Sequence, residues 1–145
     1  MNYRQEFIDL MEKTASLQGM TPTASKILGV LMFDGIELSF SEIARQLAVS
    51  RGNISMNAKV LEECKLITRI HHNGDRQDYF KISDHLYSNI LQTYAISLNQ
   101  AANEIKVLSD SLPTKFAGQK DRIERLSLIY SLLSEAMNDT GNKIT

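Results

Sequence analysis

The sequence predicts a mainly α-helical protein with one β-hairpin and with long amphipathic helices at both ends of the chain. Apolar residues recur at alternating spacings of three and four along most of the 145 residues. The dipeptide Asn73-Gly74 separates two runs of β-type residues, and only two prolines occur. At 43% apolar and 23% charged residues, the composition is that of a globular domain that buries a core.

The N-terminal segment has the spacing of one amphipathic helix that ends at Gly19. Its apolar stripe comprises Tyr3, Phe7, Leu10, Thr14 and Leu17. A second helix is predicted to begin at Thr21-Pro22, because an N-cap threonine is followed there by proline at the first helical position. It is predicted to end near Asp34-Gly35.

Two shorter helices are predicted after the extended piece "IELSF". Ser39 and Glu42 have the spacing of a capping box for the first of them, with Ser41 as an alternative cap. "VS" makes a tight turn, after which Ser50 can cap a helix that runs to residue 64. Extended runs at about 67–72 and 78–82 then form the hairpin.

The order helix, helix, short strand, helix, tight turn, helix, hairpin is that of a winged helix-turn-helix. In this arrangement the helix after the tight turn enters the DNA major groove, and the hairpin reaches the adjoining backbone or minor groove. Net charge agrees with such a module, since residues 39–82 carry seven Lys/Arg against five Asp/Glu although the whole chain has a net charge of −1.

A long helix is predicted to follow, with Asp84 as its N-cap and Pro113 as its stop. Its heptad stripe comprises Tyr87, Leu91, Tyr94, Leu98, Ala101, Ile105, Leu108 and Leu112. At about 43 Å, such a helix is too long to be covered by one small core. A final helix repeats the seam with Ile123, Leu126, Tyr130, Leu133 and Met137. Both helices are therefore predicted to pack against a second subunit.

Four segments result from this pattern: an N-terminal dimerisation helix (1–19), a winged helix-turn-helix domain (20–83), a C-terminal helical dimerisation region (84–138) and a flexible tail (139–145). The dimer interface is predicted to contain Phe7, Leu10, Leu91, Leu98, Ile105, Leu126 and Leu133.

The stretch "SRGNISMN" at 50–57 favours a DNA-contacting surface, because a helix that only faced solvent would use better helix formers. Arginine pairs with guanine, asparagine with adenine, and a methionine can rest on a thymine methyl. The predicted contacts on this helix are Ser50, Arg51, Gly52, Asn53, Ser55, Met56 and Lys59. A solvated helix face that carries a cap is the alternative interpretation of the same residues.

The hairpin tip "HHNGDRQ" is predicted to contact DNA through His72, Asn73 and Arg76. Arg76 is the candidate for the minor groove, where negative potential is strongest. Asp75 would be repelled by phosphate and is expected to orient a neighbouring arginine. An ordinary exposed hairpin is the alternative here.

"SRGNISMN" followed by "GDRQDYF" resembles the GbsR/MarR-type transcriptional regulators over roughly residues 20–85. The resemblance implies a winged-helix repressor that works as a dimer, with Ser50 to Lys59 as recognition helix and Gly74, Asp75 and Arg76 as wing tip. Some members respond to small ligands such as choline, and no effector is identified for this chain. The family often closes the recognition helix with Trp-Gly, but here the pair is Cys64-Lys65, so Lys65 must adopt a geometry that glycine takes more easily.

Other chemistry is not indicated. His71 and His72 point to opposite faces of a strand and do not form a metal site, and no phosphate-binding loop or nucleophile elbow occurs. Neither an enzyme nor a cofactor is therefore expected. Cys64 is interpreted as a buried small hydrophobe, with redox sensing as the alternative.

The absence of a signal-peptide pattern, of a transmembrane span and of a possible disulfide predicts a cytoplasmic protein without membrane contact. We expect a homodimeric regulator of transcription that represses by binding a pseudo-palindromic operator in double-stranded DNA. The alternative is a winged-helix protein-interaction module that does not bind DNA sequence-specifically.

Overall fold

The computed structural model describes residues 1–144, which form two compact units. The first unit ends at Leu86 and the second begins at Tyr87. The elements in chain order are α1 (Tyr3–Lys13), α2 (Pro22–Asp34), β1 (Leu38–Ser39), α3 (Phe40–Leu47), α4 (Arg51–Glu63), β2 (Ile67–His71), β3 (Asp78–Ile82), α5 (Leu86–Asp110) and α6 (Ala117–Gly141). The predicted fold class, mainly α with a winged helix-turn-helix, is confirmed.

The core of the first unit lies between α2, α3, α4 and a three-stranded antiparallel sheet of order β1-β3-β2. Leu38 of β1 is opposite Phe80 of β3, and Ile67 of β2 is opposite Ile82. The largest fully buried side chains here are Phe80, Ile27, Leu28, Leu31, Ile43, Ile54, Leu61 and Leu66. Because this core buries one face of α4, the position of its opposite face is set by packing.

Three predicted N-caps are confirmed. The hydroxyl oxygens of Thr21, Ser39 and Ser50 each accept a hydrogen bond from the backbone N–H three residues later, at 3.1, 3.1 and 3.2 Å. These bonds satisfy N–H groups that have no partner inside the helix, so they determine where α2, α3 and α4 begin.

Lys65 ends α4 in the left-handed conformation, with φ of 59°. Its N–H donates to the carbonyl of Glu62 at 2.9 Å, and the N–H of Leu66 donates to the carbonyl of Leu61 at 2.9 Å. This is the Schellman arrangement that glycine usually adopts, as the sequence required of Lys65. Ala48 ends α3 in the same conformation, with φ of 52°.

The prediction of one helix up to Gly19 is wrong, because α1 ends at Lys13 and a 3₁₀ turn follows at Ala15–Gln18. The 3₁₀ turn has fewer residues per turn than an α-helix and therefore rotates the side chains out of the α-helical stripe. Ala15 is buried as a result, and Leu17 is 79% exposed. Gly19 closes the turn with φ of 65°.

Helix α1 packs on α2 within the first unit rather than standing apart from it. Arg4 donates to both carboxylate oxygens of Asp34 at 2.8 and 2.9 Å, and it also donates to Gln46 of α3. The hydrogen bond from Arg4 lowers the pKa of Asp34. Met11 lies against Gly29, where an added Cβ would be 3.1 Å from its Cγ.

In the second unit, α5 and α6 contact each other through small side chains. Ser127 and Ser134 of α6 donate to the carbonyls of Ala102 and Ala95 of α5, at 2.8 and 2.7 Å. Close approach of two helices requires small residues, so the contact with α6 lies at Ala95 and Ala102. Packing of the α5 heptad stripe against a second subunit stays a prediction. The stripe members Leu91, Leu98 and Ile105 are half-buried.

Both ends of this unit differ from the sequence prediction. Helix α5 begins at Leu86 rather than directly after Asp84, because Ser83 still extends the hairpin by donating from its N–H to the carbonyl of Leu66 at 3.0 Å. Helix α6 continues to Gly141, into the segment assigned to a tail. None of the helices within residues 1–144 is long and apolar enough to span a bilayer.

Candidate nucleic-acid interface

Helix α4 buries one face and exposes the other. Ile54, Ala58 and Leu61 are buried in the core. The opposite face presents five of the residues predicted to contact DNA: Arg51, Gly52, Ser55, Met56 and Lys59. Ser50 is exposed as the N-cap, with its hydroxyl oxygen already accepting from the N–H of Asn53.

The exposed face of α4 is polar at its N-terminal end and apolar further along the helix. Within residues 1–144, an added Cβ on Gly52 would meet no atom within 4 Å, so no described neighbour requires glycine there. Met56 is 64% exposed and Val60 is 48% exposed, one helical turn further along. Sequence reasoning missed Val60, although its spacing of four from Met56 places it on the same face.

An open groove of about 430 Å³ separates the start of α4 from the hairpin. Its lining comprises Phe40, Arg51, Gly52, Ser55, Arg69, Arg76 and Asp78. The guanidinium carbon of Arg51 lies 5.2 Å from the centre of the Phe40 ring, and its Nη1 is 3.4 Å from Oγ of Ser41. The structure therefore brings Arg51 and Arg76, predicted separately, to one groove.

Arg69 also lines this groove, but its charge is balanced. It donates to Glu62 and to Asp78 at 2.6 Å each, and its guanidinium carbon lies 5.0 Å from the centre of the Phe80 ring. The bond from Arg69 lowers the pKa of Asp78. Among the residues that the structure describes, no carboxylate pairs with Arg76, so Arg76 is the hairpin arginine that is available for a phosphate.

The wing tip is held by Asp75. Its carboxylate accepts from the N–H of Gln77 at 2.9 Å and from the hydroxyl of Tyr79 at 2.6 Å, and these bonds lower its pKa. The expectation that Asp75 orients a neighbouring arginine side chain is therefore wrong: the turn brings the Tyr79 hydroxyl and a backbone N–H to it instead. Gly74 has φ of 81°, which the turn requires.

His72 is engaged within the chain. Its Nε2 lies 2.8 Å from Oε2 of Glu37, and its ring meets the ring of Tyr79 edge-on at 4.8 Å. A DNA contact by His72 stays a prediction, and such a contact would have to share the imidazole with Glu37. Asn73 is exposed at the tip beside it.

Asn57 is a site residue that sequence reasoning missed. It is 4% exposed, and its Nδ2 donates to the carbonyl and to Oδ1 of Asn53, at 2.8 and 2.6 Å. Its Oδ1 accepts from the hydroxyl of Thr21 at 2.5 Å. Asn53 is consequently half-buried at the flank of the exposed face. Asparagine in a helix is a weak signal, so only the fold reveals this network.

Cys64 is half-buried at the end of α4. Burial raises the pKa of its thiol, and the charge of Glu63 raises it further. A raised pKa reduces the thiolate population, which favours the packing interpretation over redox sensing.

The residues predicted to form the dimer interface differ in exposure. Phe7 is half-buried, with its ring 6.1 Å from that of Phe33 in α2. Leu91, Leu98 and Ile105 of α5 are half-buried. Three of the predicted interface leucines are exposed in the single chain: Leu10, Leu126 and Leu133.

The model of the MarR family matches residues 18–78, which extend from the end of the 3₁₀ turn through α4 to the start of β3. The chain is also 26% identical over 137 residues to the HTH-type transcriptional regulator MmpR5 of Mycobacterium tuberculosis, covering 91% of this chain and 83% of that protein. Residues 18–78 of this chain are therefore similar to the MarR family of regulators.

The chain is also similar to one further relative and to one solved structure. The HTH-type transcriptional repressor OpcR of Bacillus subtilis is 21% identical over 106 residues, covering 71% of this chain and 57% of that protein. A crystal structure of a transcriptional regulator has a TM-score of 0.79 and 23% identity, covering 98% of this chain and 97% of that one, and shows the fold. The similarity to these regulators supports a DNA-binding regulator of transcription. The GbsR subtype stays a prediction.

Proposed function

We propose that this chain is a MarR-type repressor that binds a pseudo-palindromic operator in double-stranded DNA as a homodimer. The observation that carries the proposal is the single groove in which the exposed end of α4 meets the wing arginine Arg76. Repression is proposed by analogy with OpcR, which is named a repressor.

Each exposed residue of α4 has a role that suits its chemistry. Arg51 can form two hydrogen bonds to the edge of a guanine, and Met56 with Val60 offers an apolar surface to thymine methyl groups. Gly52 allows the backbone to come close to the DNA, since no side chain stands there. Lys59 and Ser55 are suited to phosphate oxygens, which set the position of the helix on the duplex.

The wing supplies the second contact. Arg76 is exposed at the tip and is suited to the minor groove or the adjoining backbone. Asn73, also exposed, can donate to the same backbone. Because Asp75 is already bonded to Tyr79 and Gln77, its negative charge is partly satisfied inside the wing.

Homodimerisation is supported by apolar side chains that the single chain does not cover. Three leucines are exposed in the single chain: Leu10 of α1, and Leu126 and Leu133 of α6. Each lies on a helix that the sequence predicts to form the dimer interface. A two-fold axis would present two copies of α4 to half-sites about one helical turn, ~34 Å, apart. The operator would then have the same symmetry as the protein.

Selection of bound sequences from random duplex DNA by the purified protein tests the proposal. A recovered inverted repeat with half-sites one helical turn apart is the expected result. Recovery of no preferred sequence, together with binding that depends only on salt, would contradict sequence-specific regulation.

A winged-helix protein-interaction module is the second candidate. The net charge of −1 is weak for a DNA-binding protein, and α6 exposes further apolar residues at Leu128, Ile129 and Leu132. Affinity for DNA that falls steeply with salt favours the regulator. Co-purification of a larger partner in nuclease-treated lysate, with no DNA binding by the purified protein, favours the module.

A further inference from the structure

We propose that Asn57, a buried residue on the inner side of α4, determines which bases Asn53 accepts by holding the side-chain amide of Asn53 as a hydrogen-bond donor. This inference rests on the proposed function, because it concerns base recognition by α4. It makes Asn57 a positioning residue for specificity.

The direction of each hydrogen bond in the network follows from the backbone carbonyl of Asn53, which can only accept. The Asn57 atom that lies 2.8 Å from this carbonyl is therefore the donor Nδ2. Oδ1 of Asn57 is then the acceptor of the Thr21 hydroxyl hydrogen, and the hydroxyl oxygen of Thr21 accepts from the N–H of Ala24 at 3.1 Å as the N-cap of α2.

Both hydrogens of the Asn57 amide are then used on one residue. One goes to the backbone carbonyl of Asn53 at 2.8 Å, and the other goes to its side-chain Oδ1 at 2.6 Å. Within residues 1–144, Nδ2 of Asn53 has no protein acceptor, so the amino group is the end of this amide that is available to DNA. Rotation of the amide would place two amino groups against each other inside the protein.

A side chain presented through its amino group discriminates among bases. It can donate to guanine O6 or N7, to thymine O4 and to adenine N7, but the exposed edge of cytosine offers the N4 amino group, which is itself a donor. The two-bond pairing with adenine, which sequence reasoning assigned to Asn53, also needs the carbonyl oxygen that Asn57 occupies. Asn53 is therefore expected to disfavour cytosine at its contact rather than to select adenine.

Asn57→Leu removes the network and keeps a side chain of similar size. The Asn53 amide is then free to rotate, and its carbonyl oxygen can accept from cytosine N4 or adenine N6. The discrimination against cytosine is expected to fall by about threefold to tenfold, the ratio associated with one net hydrogen bond. Ratios of affinity among operators are compared, so that any loss of overall affinity cancels.

The experiment measures four proteins against operators that carry each of the four bases at the position where Asn53→Ala loses discrimination. The proteins are wild type, Asn57→Leu, Asn53→Ala and the double variant. Asn57→Leu should change the base profile of wild type and should have no effect when residue 53 is alanine. An unchanged profile in Asn57→Leu, or an equal change in the Asn53→Ala background, would overturn the inference.

The same binding measurements distinguish a failure of the proposed function from a failure of this inference. A wild-type protein without any sequence preference would overturn both proposals. A preference that Asn53→Ala removes and Asn57→Leu leaves intact would overturn only the role of Asn57.

A measurement on the wild type covers the case in which Asn57→Leu does not fold. The side-chain amide hydrogens of Asn57, which are bonded and buried, should exchange with water more slowly in NMR spectra than those of Asn53. Equal exchange rates for the two side chains would overturn the network.

Discussion

Replacing Leu133 with glutamate is expected to convert the proposed dimer into a monomer without unfolding the chain. Leu133 lies on α6, where 44% of its surface is exposed in the single chain. Substitution of an exposed side chain usually changes stability by no more than about 0.5 kcal/mol. The half-buried Leu98 of α5 is a poorer site for this test, because a charge there would also affect the packing of the monomer.

The cost in a dimer follows from the surface that remains to be buried. Full burial of a leucine stabilises by about 1.5–3 kcal/mol, so the exposed 44% corresponds to roughly 1 kcal/mol per copy and about 2 kcal/mol for both. Desolvating two carboxylates near a two-fold axis adds several kcal/mol. A total above about 4 kcal/mol weakens association by nearly a thousandfold.

Sedimentation at micromolar concentration measures this change. The matched control is Val107→Glu, because Val107 is 70% exposed on α5 and is not part of the predicted interface. We expect wild type and Val107→Glu to be dimers that bind the operator, and Leu133→Glu to be a folded monomer that does not.

Two results would refute this reasoning. A Leu133→Glu protein that remains as dimeric as wild type would exclude Leu133 from the interface. A wild-type protein that sediments as a monomer and still binds an inverted repeat would show that the exposed side chains of α5 and α6 serve another purpose.

The remaining predictions concern the candidate interface and the stability of the first unit. Arg51→Ala should weaken operator binding by about 1–3 kcal/mol and Asn53→Ala, which removes one hydrogen bond, by about 0.5–1.5 kcal/mol. Both should weaken random-duplex binding by less, since base contacts carry sequence information. Equal losses on both duplexes would limit these side chains to phosphate contacts. Arg76→Ala should make the slope of log affinity against log salt shallower by about one unit, with an unchanged melting temperature because Arg76 is exposed; a lower melting temperature with an unchanged slope would contradict the wing assignment. Ala48→Gly should raise the free energy of unfolding in urea by about 0.5–1 kcal/mol, because alanine at φ of 52° is strained and its methyl group is exposed; a loss of stability would show that the strain is absent. Asp34→Asn should destabilise the protein above about pH 4, because the lowered pKa of Asp34 adds stability that is present there and is lost as the pH falls through that pKa. The difference from wild type should therefore shrink in acid, and a difference that is constant with pH would contradict the ion pair.

Local signals determined the boundaries of the helices around the site. Thr21, Ser39 and Ser50 cap the helices that their positions predict, because a cap involves only a hydroxyl and an N–H three residues away. The apolar spacing of α4 likewise determined which of its side chains face outward, since burial of Ile54 and Leu61 leaves the opposite face exposed. Such features depend on short stretches of chain, so they can be predicted from the sequence alone.

Periodicity did not identify the contact between α5 and α6. The heptad stripe of α5 was predicted to face a second subunit, which stays a prediction, whereas α6 of the same chain lies against Ala95 and Ala102. A heptad pattern predicts that a helix has a buried side, but it does not predict which neighbouring helix packs against that side. The close approach of the two backbones requires small residues at the contact, and this requirement arises only when both helices are in place.

Only the tertiary structure decided how the polar groups of the site are paired. Asn57 joins Thr21 to Asn53, Arg69 lies between two carboxylates, and Asp75 holds Tyr79. The Thr21 and Asn57 partners are 36 residues apart in the chain, so no local pattern connects them. The sequence by itself determined which side of α4 is available to DNA. The fold determined which atoms of that side remain free, because a hydrogen-bonding group is free only when no buried neighbour has already taken it.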